Sequence, residues 1–248
     1  MVKYEILFSN LDKDIYITQI EWKPTGFIFE LPLDYREKEE SIWEDFIEDN
    51  PDGYNGTLLC LENFFFKDDK LILETSTMKF STLLTVKHYK ELSMPHYGCI
   101  GTQCIIHHPE NDSILVGTRA LASSYCPGLL TIPGGMLEFY DELEPAAITL
   151  LREIYEETDI ILESPVTIRA ILREHNEFSA ILLLEKVLPK GKNTIILEKK
   201  LITTTCDEWE GKILRWLPLE ELQDFPTDQL MEGLAYIQNH FHVRKTTP

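Results

Sequence analysis

The stretch that most restricts how this chain can fold is residues 144–158, EPAAITLLREIYEET, whose apolar positions recur at helical spacing. Ile148, Leu151 and Tyr155 form one stripe, widened by Ala147, Leu150 and Ile154, so the spacing predicts a helix with that side toward a core. Glu153, Glu156 and Glu157 fall at i, i+3 and i+4 and are expected to converge on the opposite face. Like charges so placed cost a helix about 0.2–0.5 kcal/mol per pair. Arg152 can reach Glu156 at i+4, but one guanidinium does not neutralise three carboxylates. Clustered hard oxygen donors suit a divalent cation such as Mg²⁺, with water and substrate phosphate completing its shell. Taken alone, an acidic helix face is more often plain solvated surface. What precedes this one changes the balance: a short strand at Leu129–Ile132, then Pro133-Gly134-Gly135, where glycines admit close backbone approach to a ligand.

Charge limits the partners. The 248-residue chain carries a formal net charge of −19, which repels nucleic-acid phosphates and anionic membrane, so neither is expected as a partner. A small phosphorylated substrate meets the same field, and its site must supply local cations. Arg119 and Arg173 are the candidates for phosphate contact. The five cysteines, Cys60, Cys99, Cys104, Cys126 and Cys206, lack the paired spacing of a zinc site and read as free thiols in a reducing compartment. No run approaches the ~18 apolar residues of a membrane span, so a cytoplasmic location is expected.

Two regions are expected, divided near Ser93-Met94-Pro95. Residues 1–92 read as a smaller β-rich domain, with strands at Tyr4–Phe8, Ile15–Trp22, Phe27–Leu31, Leu58–Phe66, Leu71–Thr75 and Leu83–Val86, and one helix capped by Ser41. Residues 93–248 mix strands and helices. They begin with a hairpin around Pro109–Asp112 and, beyond the central helix, run through strands at Val166–Arg173, Phe178–Val187, Ile195–Leu197 and Ile213–Leu217. Helices near Leu219–Leu222 and Thr227–His240 close the domain. The fold class this predicts is α+β with a mixed sheet.

The run Gly134-Gly135-Met136-Leu137-Glu138, then Glu144, then Arg152-Glu153-Ile154-Tyr155-Glu156-Glu157-Thr158-Asp159-Ile160 resembles the Nudix box. From Glu144 onward the spacing fits, and the hexapeptide from Arg152 matches fully. Two departures stand out. The loop after Gly135 is three residues longer than the pattern, so Glu142 or Glu144 could act as its first glutamate, and Asp159 replaces the glycine that ends the helix. A strained or shifted helix cap is therefore expected.

The resemblance, which covers about residues 97–240, implies an α/β/α sandwich that hydrolyses a nucleoside diphosphate linked to another moiety. It implies Mg²⁺, with Mn²⁺ able to substitute, held by Glu153, Glu156, Glu157 and the carbonyl of Gly134. Arg152 would orient the glutamates, and the general base would be Glu153 or a glutamate outside the box, Glu174 or Glu177. His175, between those two, is more simply a surface histidine. Within the family, Cys126–Gly135 is diffusely similar to the vertebrate UDP-glucose pyrophosphatases, which also carry an additional N-terminal domain; the likeness from Ile42-Trp43-Glu44 onward is fainter. This implies a UDP-sugar substrate. ADP-ribose or dinucleotide hydrolysis would use the same residues, and a nucleotide-binding module without turnover is the reading from outside the enzymes. Homodimerisation is open.

Overall fold

In the computed structural model the described residues are 4–10, 14–51, 53–89, 91–94, 96–119, 127–174, 179–190 and 214–240. Strand β6 (Cys99–His108) shows why the sheet forms where it does. All but one of its ten residues are buried, as expected for a central strand covered on both faces. On one side it runs parallel to β10 (Ser179–Val187), from Cys99 opposite Ser179 to His107 opposite Val187. Strand β9 (Thr167–Glu174) pairs antiparallel with β10. β1 (Tyr4–Ser9) and β2 (Ile15–Tyr16) both add antiparallel to β9. On the other side of β6, Cys99 pairs with Cys60 of β4 (Thr57–Lys67). Then come β5 (Lys70–Lys79) and, outermost in that order, β3 (Ile20–Ile28). Pro24, which cannot donate to a ladder, is tolerated in that outer strand. The β4–β5 hairpin turns on Asp68 and Asp69, both with positive φ, as a two-residue hairpin loop demands.

The mixed sheet and the β-rich N-terminal segment match the α+β class expected from sequence. The expected boundary near residue 92 falls between α2 (Phe80–His88) and β6, and strands from both sides of it share one sheet. Among the described residues no helix is long and apolar enough to cross a membrane.

Helices cover the two faces. α3 (Ala146–Thr158) packs its Leu150 and Ile154 into a cluster with Leu59, Ile100, Cys104 and Leu182. On the opposite face α5 (Glu232–His240) buries Leu234, Ala235, Tyr236 and Ile237 against Ile105, Ile132, Leu172 and Leu183. β7 (Ser113–Thr118), β8 (Leu130–Thr131) and β11 (Arg215–Pro218) form the rim beside β6. The four-residue α4 (Leu219–Leu222) follows β11.

Several expectations are corrected. Leu83–Val86 is helical, inside α2, because tertiary contacts satisfy that helix's first turn. The Ser81 N–H donates to Asn55 Oδ1 at 2.9 Å, and the Ser81 and Thr82 hydroxyls donate to Glu39 Oε1 at 2.7 and 2.6 Å. Helix α1 (Arg36–Asp49) starts five residues before Ser41, so Ser41 lies inside it rather than at its cap. The terminal helix is split, a 3₁₀ turn at Thr227–Gln229 preceding α5. The expected strand at Ile195–Leu197 lies outside the described residues.

Candidate active site

The site is organised by the meeting of α3 with the turn that follows β8. Residues 133–137 run beside β6: Cys104 N–H donates to Pro133 O at 2.8 Å, Thr102 N–H to Gly135 O at 2.8 Å, and Leu137 N–H to Ile100 O at 2.9 Å. On its other side the same segment accepts from β4, Leu59 N–H donating to Leu137 O at 2.9 Å. Contact distance requires glycine at 134 and leaves little room beside Gly135. A Cβ on Gly134 would lie 1.9 Å from Thr102 O, a backbone atom that cannot yield. One on Gly135 would lie 2.1 Å from Glu153 Oε2. The missing side chains let the sheet edge, the turn and the helix meet at van der Waals distance.

That close approach also rotates α3 away from the expected phase. The sequence stripe pointed Ile148, Leu151 and Tyr155 at the core, but Ile148 is 58% and Tyr155 45% exposed, and Leu151 is only partly buried. The buried line is Ala146, Leu150 and Ile154. Glu153 and Glu157, one turn apart, border this line and face the turn. The Gly134 N–H donates to Glu157 Oε2 at 2.8 Å, while Glu153 closes over Gly135. Arg152 sits between the other carboxylates, 2.9 Å from Glu153 Oε1 and 3.4 Å from Glu156 Oε1, with its guanidinium 5.8 Å from the Tyr140 ring centre. Glu153 thus meets both Arg152 and the turn, Glu156 meets Arg152, and Glu157 meets the turn.

Asp159 ends α3 in the left-handed conformation, φ 54° and ψ 22°, with its N–H donating to Tyr155 O at 2.6 Å. The cap is unshifted. A non-glycine residue there costs about 1–2 kcal/mol, which is the strain expected from the missing glycine.

Arg119 follows β7, its N–H donating to Leu129 O at 3.0 Å beside β8. Arg173 lies near the end of β9, opposite Ala180. Glu144 is exposed just before α3. Glu177 and His175 lie outside the described residues. Cys60, Cys99 and Cys104 are buried free thiols. The hydrogen bond to Cys99, then burial, push the Cys60 thiol up, and burial pushes Cys104 up, so neither offers a thiolate near neutral pH.

Among the described residues no three His, Cys, Asp or Glu side chains stand arranged to hold a metal ion. The donor set nonetheless fits a hard divalent cation: three carboxylates within six residues, against a turn stripped of side chains. Glu153, Glu156 and Glu157 would hold it.

Sequence reasoning did not single out Glu232. It opens α5, is wholly buried, and neither carboxylate oxygen has a hydrogen-bond partner among the described residues. The available signal was one charge inside the apolar run Leu230-Met231-Glu232-Gly233-Leu234-Ala235.

The NUDIX domain model matches residues 100–235, more than half of the chain, and the chain belongs to the Nudix family. It is a hydrolase of the pyrophosphatase type. No curated protein matches it. Solved structures similar to it include the MutT protein from Methanosarcina mazei Go1, at 16% identity and TM-score 0.43, covering 60% of this chain and 96% of that one. Another is the NUDIX domain of Shewanella oneidensis NrtR complexed with ADP ribose, at 14% identity and TM-score 0.42, covering 56% of this chain and 83% of that one.

Proposed function

We propose that this chain hydrolyses the diphosphate bridge of a nucleotide sugar, UDP-glucose or UDP-galactose, to UMP and the sugar 1-phosphate. The observation that supports this most is the pairing of Glu153 and Glu157 with the Gly134–Gly135 turn, which brings acidic oxygens to a backbone edge free of side chains. The choice of a UDP-sugar rests on the likeness of Cys126–Gly135 to the vertebrate enzymes.

Mg²⁺ or Mn²⁺, when bound, offsets phosphate charge and lowers the pKa of an attacking water. The chain's own residues do the rest. Glu153, Glu156, Glu157 and the Gly134 carbonyl would hold the cation, and Arg152 fixes the directions of Glu153 and Glu156 through its two ion pairs. Arg119 and Arg173 contact substrate phosphates, which the acidic surface would otherwise repel. Glu153 or Glu177 takes the proton from water as its oxygen bonds to phosphorus and the bridging P–O bond breaks, leaving two monophosphates. Residues 1–92 act as a unit that braces the turn from β4, where Leu59 holds Leu137. We assign the work to the cytoplasm, on a small-molecule substrate, by a monomer or homodimer.

The test is turnover of purified protein with Mg²⁺ across UDP-glucose, UDP-galactose, ADP-ribose, NADH and diadenosine polyphosphates. Release of UMP at the highest kcat/KM supports the proposal. Faster cleavage of ADP-ribose or a dinucleotide moves the assignment to those substrates, and tight binding without cleavage makes the chain a nucleotide-binding module.

A further inference from the structure

We propose that Glu232 reads the substrate's nucleobase, accepting hydrogen bonds from its N–H groups at the first turn of α5. The inference rests on the pyrophosphatase reading and adds to it the residue that selects the base.

Glu232 is 0% exposed, and both of its carboxylate oxygens are unpartnered among the described residues. Gln103 Oε1 accepts the Gly233 N–H at 3.0 Å, and the Thr131 hydroxyl donates to Ile132 O at 3.1 Å. A Cβ at position 233 would lie 2.2 Å from Gln103 Oε1 and 3.0 Å from Ile132 Cδ1, so a larger residue there would displace both side chains. The first turn of α5 is therefore pressed onto β6 and the strand leading to the metal turn. A wholly buried carboxylate without a protein donor is strongly unfavourable, and chains keep such groups mainly where something else completes them.

The position suits a base. Met231 N–H donates to Leu130 O at 2.9 Å, which ties the start of α5 to β8, three residues before Pro133. Gln103 Cα lies 2.8 Å from where a Gly134 Cβ would stand, so Gln103 touches both the metal turn and the start of α5. Next to Glu232, Ile132 Cδ1 and Leu183 Cδ1 lie 3.0 and 3.1 Å from where a Gly233 Cβ would stand, apolar surface suited to the faces of a flat ring. A carboxylate only accepts, so the edge that meets it must donate. Adenine offers its amino group and uracil its ring N–H, while guanine offers two adjacent N–H groups that satisfy both oxygens.

The experiment uses the full chain and its Glu232→Gln and Glu232→Leu variants. Binding of ADP-ribose, GDP-mannose and UDP-glucose is measured by calorimetry with Ca²⁺ in place of Mg²⁺, and cleavage with Mg²⁺. For the base bound best, the analogue with its N–H donor blocked is compared: 1,N6-etheno-adenine, N1-methyl-guanine or N3-methyl-uracil. Wild type should favour the unblocked base by about tenfold or more, and both variants should erase that ratio. Glu232→Leu should also melt about 2–4 °C higher, because removing an unsatisfied buried polar group stabilises a fold of this size. A ratio near one in wild type, or one kept in both variants, overturns the inference while leaving the pyrophosphatase reading intact. A uniform loss across all bases with a lower melting temperature overturns it in favour of a structural role. Binding without cleavage removes the pyrophosphatase reading alone, and absence of binding by all three compounds removes both.

Discussion

The acidic turn of α3 and the lone acid of α5 solve opposite problems with the same functional group. In α3, Glu153 and Glu156 share Arg152, and Glu157 accepts the Gly134 N–H. Those charges are neutralised or hydrogen-bonded before any cation arrives, so holding them together costs the fold little. In α5, Glu232 is wholly buried, and neither of its oxygens has a hydrogen-bond partner among the described residues. The contrast teaches that a cluster built to exchange partners keeps them loosely and near the surface. A group proposed to select among ligands is better buried, where a hydrogen bond from the correct donor is worth more than in water.

The comparison can be broken most forcefully at the α3 carboxylates. Replacing Glu156→Gln and Glu157→Gln together should lower kcat by about 100- to 1000-fold while circular dichroism and melting stay near wild type. A fully active double variant would remove these residues from the mechanism.

The apolar side of the same helix provides the stability counterpart. Ile154→Ala should cost about 2–5 kcal/mol in urea unfolding, against about 0.5 kcal/mol or less for Ile148→Ala. Equal costs would mean that the helix presents the phase read from sequence. Arg152→Ala should reduce metal affinity or kcat by about 10- to 100-fold through misdirected glutamates. Loss of secondary structure in that variant would instead give Arg152 a folding role. The smallest effect belongs to the cap. Asp159→Gly should gain about 1 kcal/mol, relieving the left-handed backbone, with kcat unchanged. A destabilised variant would show that the Asp159 side chain contributes more than its backbone strain costs.

Legibility varied with how local the cause was. β4, β6 and β10 were readable to within a residue or two because apolar runs bounded by turn residues need no distant partner to be recognised. The length of α3 was equally clear, but its phase was not. Six apolar residues spread over two adjacent stripes, and the choice between them was made by a glycine turn closing against Glu153 and Glu157. α2 was missed because Leu83, Thr85 and Val86 favour a strand locally. Its first turn is satisfied by Asn55 and Glu39, far away in sequence. Glu232 escaped because burial is a property of the packed molecule, and a single charge beside a helix start reads as an ordinary N-terminal acid.

By itself the sequence determined that this chain carries a periodic helix ending in three carboxylates after a proline–glycine–glycine turn, and with it the family and a mixed sheet. Those features depend on residues within a few positions of one another, where helical and strand periods leave a direct imprint on the order of side chains. Only the tertiary structure decided which side of α3 is core, which glutamates meet the turn, and that β4 holds that turn from the other region. It also decided that one acid of α5 is wholly buried, with no hydrogen-bond donor to it among the described residues. Such outcomes depend on contacts between segments tens to more than a hundred residues apart, where close packing rather than local propensity chooses the partner.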